Sequence, residues 1–320
     1  MIRIQTGRRL HFGLFSPLPV PELDLVYGGL GVMVDAPGVV VAGSPSNGWS
    51  VTGFQKERGE GILGRLIAAH PALTPINIKV EYMAPAHQGW GTGSQLAMAI
   101  AQMCYKTSHL EWYAPDAAKL VGRGQRSGIG IVGFDEGGLL LDHGKSPGTD
   151  RPGQVESLPL PLDWTFVLVE PGQEQGLHSE EERRAFSRLS KINVGTVSQL
   201  RTLAKEVLIP ASNVGDFDRF ARHLTEYNRL AGSFYHGVQH GDYGTRQTYE
   251  RLALMEKQGA VGRGQSSWGP GLFAVFPTPQ KAQTFCERCP LPGCRLIMAQ
   301  VMKPSIIRFV TEPMARTLTS

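Results

Sequence analysis

The sequence predicts an α+β protein of two domains, and three observations carry that expectation. At 320 residues the chain is long enough for two domains of ordinary size. A strand, a glycine-rich turn and an amphipathic helix follow one another between Ile76 and Cys104. Beyond Trp164, strands alternate with helices over the rest of the chain, as in a two-layer domain. The boundary is expected near residue 155, within a Gly- and Pro-rich linker from Lys145 to Pro161. That division assigns 1–155, with the glycine loop at 85–95, to the first domain and 156–320 to the second.

Residues 1–6 read as a short strand, and Gly7 to Gly13 as a glycine-bounded turn carrying Arg8, Arg9 and His11. His11 suits either a reacting site or a hydrogen-bonded, partly buried position. Tyr27 to Gly31 reads as a flexible turn leading into strands that begin at Val32 and Val39. Ile62, Leu66 and Ile67 place a helix over 61–70, stopped by Pro71. Ile76, Ile78, Val80 and Tyr82 alternate with polar residues as a half-buried strand.

The run Pro85 to Ala97, P-A-H-Q-G-W-G-T-G-S-Q-L-A, follows that strand. Gly89, Gly91 and Gly93 let backbone amides approach a ligand, Ser94 is a candidate N-cap, and Leu96 to Cys104 forms an apolar helical stripe. A helix N-terminus behind a glycine turn cradles anions, because its first amides lack partners within the helix. A tight turn requiring left-handed residues explains the same glycines. The Lys-Ser or Lys-Thr of the common phosphate loop is missing, and G-x-G-x-G departs from the dinucleotide fingerprint.

Leu120 to Phe134 reads as an Arg/Gly turn followed by a short strand, with Gly137 to Gly144 as its hairpin mate. Trp164 to Val169 is a central strand. Helix starts are expected at Ser179 with Glu182 and at Thr196 with Gln199, as capping boxes. Further helices fall around Phe217 to Leu224, over 245–258 with Gly259 as C-cap, and over 281–289; strands fall at 272–276 and 305–310. The pentapeptide V-G-R-G-Q occurs at 121–125 and again at 261–265, which suggests two arginine turns closing on one polyanion.

Composition excludes other classes. A hydrophobic content of 41% is that of a globular protein, and no apolar run approaches a membrane span. The N-terminus lacks signal-peptide regions, so a cytoplasmic location is expected. The net charge of +4 without a basic stripe argues against a nucleic-acid partner. Cys286, Cys289 and Cys294 lack a visible fourth ligand for zinc, and no G-x-S-x-G elbow is present.

Several runs together resemble the GHMP kinase superfamily. Pro85 with Gly89-Trp90-Gly91 matches its P-x-x-x-G-L-G-S-S-A motif, with Thr92, Gly93 and Ser94 replacing the last three residues. T-G-R-R-L-H-F-G (6–13) stands in place of its first motif, and G-R-G-Q-S-S-W-G-P-G (262–271) resembles its third. The resemblance implies a first domain like the second domain of ribosomal protein S5 and a ferredoxin-like second domain. Family kinases carry S-G-x-D, whose carboxylate helps activate a substrate hydroxyl, whereas this chain has S-G-I-G (127–130), leaving Gly130 without one.

Arg8, His11, the R-G-Q-R-S-G-I-G run from Arg123, Leu141-Asp142-His143 and the 262–271 run look more specifically like the β-ribofuranosylaminobenzene 5′-phosphate synthase branch of that superfamily. That resemblance implies condensation of 5-phospho-α-D-ribose 1-diphosphate with 4-aminobenzoate or 4-hydroxybenzoate, with loss of CO2 and diphosphate, in methanopterin biosynthesis. It further implies Mg2+ and roles for named residues; a homodimer is expected as the common default. Gly89, Gly91, Thr92, Gly93 and Ser94 contact phosphate; Arg8, Arg123 and Arg263 neutralise it; Gln265, Ser266 and Ser267 add hydrogen bonds. His11, Asp142 and His143 stand near the reaction, Asp142 being a candidate metal ligand; Arg126 pairs with the benzoate carboxylate, and Trp90 or Trp268 flanks its ring. The alternative is an ATP-dependent small-molecule kinase.

Overall fold

The computed structural model describes residues 1–149, 153–172, 187–189, 192–303 and the strand 306–309. It is an α+β structure containing three sheets. The first sheet has the order β13-β1-β4-β6-β5, built from β1 (Ile2–Gln5), β4 (Val39–Pro45), β5 (Ser50–Gly53), β6 (Ile76–Met83) and β13 (Ile306–Phe309). Only the β5–β6 pair is parallel. Helices α1 (Lys56–Ala69) and α2 (Thr92–Thr107) bury their apolar faces with this sheet in one cluster that includes Ile4, Val41, Ile78, Leu66, Leu96 and Ile100.

The second sheet joins β2 (Arg8–Val20), β3 (Leu25–Val34), β7 (Leu139–Asp142) and β8 (Val155–Leu158) in that order, all antiparallel. The turns expected at 7–13 and 27–31 are therefore strand. The glycines serve close approach: a Cβ on Gly29 would lie 2.2 Å from the carbonyl oxygen of Gly13 across the ladder. The strand expected within 120–134 is corrected too. Ile129–Glu136 forms α4, after the short α3 (Ala114–Leu120), and β7 pairs with β3 and β8. A short apolar run does not by itself distinguish strand from buried helix. Here Gly133 lets α4 lie close to the sheet, since a Cβ there would meet Met33 and Leu140 at 2.5 and 2.6 Å.

The third sheet, β10-β11-β9-β12, is antiparallel and has the ferredoxin-like order. Its strands are β9 (Thr165–Pro171), β10 (Gly262–Gln265), β11 (Leu272–Phe276) and β12 (Cys294–Gln300). Between β9 and β10 lie α5 (Val194–Thr202), a π-helical turn, α6 (Ile209–Val214), α7 (Phe217–Gly232) and α8 (Arg246–Lys257); α9 (Pro279–Arg288) precedes β12. The cap of α5 is Asn193, whose side chain accepts from the amides of Gly195 and Thr196, and not Thr196 as expected. Thr245 caps α8. The helix start expected at Ser179 lies outside the described residues.

One buried cluster runs through both halves of the chain, from Leu10, Phe12 and Leu141 to Phe166, Phe220 and Phe273. The expected boundary at 155 falls at the start of β8, and β13 returns to pair with β1. Among the described residues no helix is long and apolar enough to cross a membrane.

Candidate functional site: an arginine-lined cleft at the glycine loop

The glycine loop leaves β6 and reaches α2 through residues held at positive φ, Gly89 at 90° and Gly91 at 68°. Gly91, not Ser94, is the N-cap of α2, and no side chain caps the helix. The amide of Ser94 already donates to the Gly91 carbonyl at 3.0 Å, which leaves the amides of Thr92 and Gly93 as the open end. These residues line a cleft of about 1050 Å³. Gly89, Gly91, Thr92, Gly93 and Ser94 are thus brought together on the cleft wall.

Two distant segments hold it. The amide of Arg9 donates to the Trp90 carbonyl at 3.0 Å, tying β2 to the loop. The Ser266 hydroxyl donates to the Gly89 carbonyl at 2.9 Å and accepts from the His11 amide at 3.1 Å. The Ser267 amide donates to the His11 carbonyl at 3.1 Å, and that of Gly271 to the Gln88 carbonyl at 3.1 Å. The glycines of the 262–271 run are required by this contact: a Cβ on Gly269 would lie 2.1 Å from the carbonyl carbon of Gln88. The resemblance to a third glycine motif thus has a local cause, since that motif packs on the first loop.

Among the described residues five arginines line the cleft, Arg9, Arg58, Arg65, Arg123 and Arg126, against one acidic residue, Asp242. Glycines admit two of them. A Cβ on Gly91 would stand 3.2 Å from Arg9 Nε, and one on Gly93 would stand 2.2 Å from Arg58 Nη2. Arg123 sits in the turn after α3, where burial, and then the charges of Arg58 and Arg65, push its guanidinium down to about 10. Burial and Arg65 lower Arg58 as well.

Other expected residues take different places. Arg8 is buried away from the cleft, in an ion pair with Glu170, and donates to the Pro37 carbonyl at 3.0 Å and the Tyr82 hydroxyl at 3.2 Å. Its neighbour Arg9 lines the cleft instead, because residues 8 and 9 of a strand point to opposite faces. Arg263 also turns away, to Glu256 at 2.5 Å and the Ala260 carbonyl at 3.1 Å. The two V-G-R-G-Q copies are consequently unlike, one a turn and the other a strand.

Ser266 is fully buried as a brace. Gln265 lines the cleft with both side-chain ends engaged, accepting from the Gly244 amide and donating to the Gly269 carbonyl, each at 2.9 Å. Ser267 lines the cleft directly.

Asp142 does not line the cleft. It accepts from the amides of Gly128 at 2.7 Å and Gly144 at 2.9 Å, and so shapes the turn between Arg126 and α4. Burial raises its carboxyl above the ordinary range, partly offset by those hydrogen bonds. His143 bonds to Glu156 at 2.9 Å outside the cleft. His11 does line it, buried, with Nδ1 accepting from the Gly13 amide at 3.2 Å. Arg126 lines it as well. Trp268 and Tyr235 meet edge to face at 4.6 Å on the cleft wall, which Phe12 and Trp90 also line.

No three His, Cys, Asp or Glu side chains converge as a metal site among the described residues. Asp242 is itself engaged by His236 and Arg229. Asp242 is the carboxylate on the cleft wall among the described residues, and Mg2+ is usually held by one or two carboxylates together with substrate phosphates.

Gly130 lies in the first turn of α4. A side chain there would point at the anion cradle, since its Cβ would come within 3.6 Å of Arg9 Cδ and 3.7 Å of Ser94 Cβ. The stem of an arginine thus borders the place where a kinase's carboxylate would stand.

No protein-family model matches the chain. Over most of its length, however, it resembles solved GHMP-type kinases. It superimposes on homoserine kinase from Cytophaga hutchinsonii with a TM-score of 0.68 at 15% identity, covering 96% of this chain and 97% of that one. For phosphomevalonate kinase from Streptococcus pneumoniae the TM-score is 0.69 at 13% identity, covering 93% and 99%. The fold is the GHMP kinase fold. In sequence the chain is similar to two archaeal enzymes named β-ribofuranosylphenol 5′-phosphate synthase. It is 25% identical to that of Methanothermobacter thermautotrophicus over 299 residues, 85% of this chain and 88% of the relative. It is 26% identical to that of Methanocaldococcus jannaschii over 298 residues, 85% and 88%. The resemblance to the synthase branch read from the motifs is borne out.

Proposed function

We propose that the cleft transfers the phosphoribosyl group of 5-phospho-α-D-ribose 1-diphosphate to a 4-substituted benzoate, with release of CO2 and diphosphate, in methanopterin biosynthesis. The observation that carries the reading is position 130. A GHMP cleft with glycine facing its anion cradle, and an arginine beside it, has no carboxylate there to orient or deprotonate an alcohol. Phosphoribosyl transfer to a ring carbon needs no such base. The relatives are named for a ribofuranosylphenol product, which favours 4-hydroxybenzoate over 4-aminobenzoate as acceptor.

In this reaction the bond from ribose C1 to the diphosphate oxygen breaks as the ring carbon bearing the carboxylate attacks C1. The ring–carboxylate bond then breaks, CO2 leaves, and its electron pair restores the aromatic ring. Negative charge gathers on the departing diphosphate, and pre-placed guanidinium groups and helix amides stabilise that charge. The open amides of Thr92 and Gly93, with Arg58 beside them, provide such a setting. The aromatic pair of Trp268 and Tyr235 on the wall suits the benzoate ring, and Arg126 its carboxylate. Mg2+, in this proposal, enters bound to the diphosphate. Assembly as a homodimer completes the proposal.

The reading is tested by offering ATP with a panel of alcohols and, separately, phosphoribosyl diphosphate with each benzoate. A C-riboside product by mass spectrometry is expected only from the second; phosphoryl transfer from ATP and no riboside would establish the kinase alternative instead.

A further inference from the structure

Arg58, Arg65 and Arg123 stand together, and no motif of the sequence assigns them jointly. Arg58 and Arg65 are seven residues apart in α1, on one helical face. Arg65 Nη2 donates to the carbonyl of Val121 at 3.4 Å, which brings α1 onto the turn that carries Arg123. That turn is held open by Gly122 and Gly124 at φ of 69° and 83° and is pinned by the Arg123 amide donating to Ala118 at 2.7 Å. Among the described residues, Arg123 Nε is buried without a hydrogen-bond partner. Among the described residues, no carboxylate lies within ion-pairing distance of any of the three.

Gathering like charges without a counter-ion costs energy; burial first, and then the charges of both α1 arginines, depress the guanidinium of Arg123. A folded chain retains such a cluster when an anion relieves it. The cluster also adjoins the open end of α2, where Arg58 Nη2 occupies the space beside Gly93. Three guanidinium groups and a helix N-terminus match a ligand of higher charge than a phosphate monoester.

We propose that Arg58, Arg65 and Arg123 form a subsite for an inorganic or substrate-borne diphosphate, separate from the place that takes the 5-phosphate of the ribose. The assignment rests on the reading that the cleft accepts phosphoribosyl diphosphate. On departure of the leaving group, this subsite retains the diphosphate while the riboside is formed.

The test is calorimetric titration of the wild type, Arg65→Gln and Arg58→Gln/Arg65→Gln with inorganic diphosphate and, separately, ribose 5-phosphate. Arg65 is exposed, so its substitution is not expected to disturb the fold; Arg65→Lys, keeping the charge without the planar fork, is the graded control. Diphosphate affinity is expected to fall at least tenfold in Arg65→Gln and further in the double variant, with Arg65→Lys between, while ribose 5-phosphate affinity stays within twofold. Variants that bind diphosphate as tightly as wild type, or that lose both ligands equally, overturn the subsite and leave the proposed reaction standing. A wild type that binds neither ligand overturns both.

Discussion

His11 is neutral in the folded protein because burial, and then the neighbouring Arg9, push its imidazole from about 6.5 down to about 3. With Nδ1 accepting from the Gly13 amide, the geometry assigns the remaining proton to Nε2. The folded state therefore binds fewer protons than the unfolded chain between those values, and this linkage makes stability rise with pH across that window. The contribution is complete above about pH 6.5 and is lost progressively as the pH falls toward 3. Denaturant titrations at pH 7 and pH 5 should show a larger acid-induced loss in wild type than in His11→Gln; equal losses would mean that His11 is not held neutral. At this scale the sequence was legible in residue type and less so in direction. Arginines near glycines marked an arginine-lined cleft, yet Arg8 and Arg263 turn to Glu170 and Glu256. Reading 7–13 as a turn hid the strand parity that separates Arg8 from Arg9.

Helices α1 and α2 meet at Gly93, and the absence of a side chain there gives Arg58 its place. Gly93→Ala would push the guanidinium aside, because the obstructing atoms are the far end of a flexible side chain. Alanine is also a better helix former than glycine by about 1 kcal/mol. Thermal stability should accordingly hold or rise, while the KM for phosphoribosyl diphosphate rises about tenfold, as expected when a charge-assisted contact of about 1.4 kcal/mol is weakened. Steady-state kinetics with a melting curve checks both; an unchanged KM would detach Arg58 from the donor. The strand–loop–helix unit at 76–107 was legible because alternation and a helical stripe are strong signals. The start of α1 was not. Reading the helix from residue 61 left Arg58 outside it, and with it the seven-residue spacing to Arg65. Helix α4 was missed because I-G-I-V-G-F is apolar at either period, and its helical state depends on packing against β3 and β7.

The whole molecule is joined across its two halves by a buried pair, Arg8 on β2 with Glu170 on β9, and by one common core. Their side chains are 2% and 5% exposed, so removing one leaves the other charge buried. Glu170→Ala should destabilise the protein by about 3–5 kcal/mol. Urea denaturation reads this, and a loss under 1 kcal/mol would show that Arg8 finds relief in its bonds to Pro37 and Tyr82. The ferredoxin-like third sheet and the GHMP architecture were legible from motif order, which survives where pairwise identity is low. The return of β13 to β1 was not, because strand pairing across such a separation leaves no local pattern. The cleft formed by these halves combines five arginines with a missing carboxylate at Gly130, and in the proposed reaction this combination performs decarboxylating phosphoribosyl transfer. The most direct measurement supplies phosphoribosyl diphosphate, Mg2+ and carboxyl-labelled 4-hydroxybenzoate, with labelled 4-aminobenzoate in parallel, and counts labelled CO2 against diphosphate. Equal amounts of both, from at least one benzoate and only when the donor is present, are the expected result; a folded protein releasing no labelled CO2 from either would contradict it.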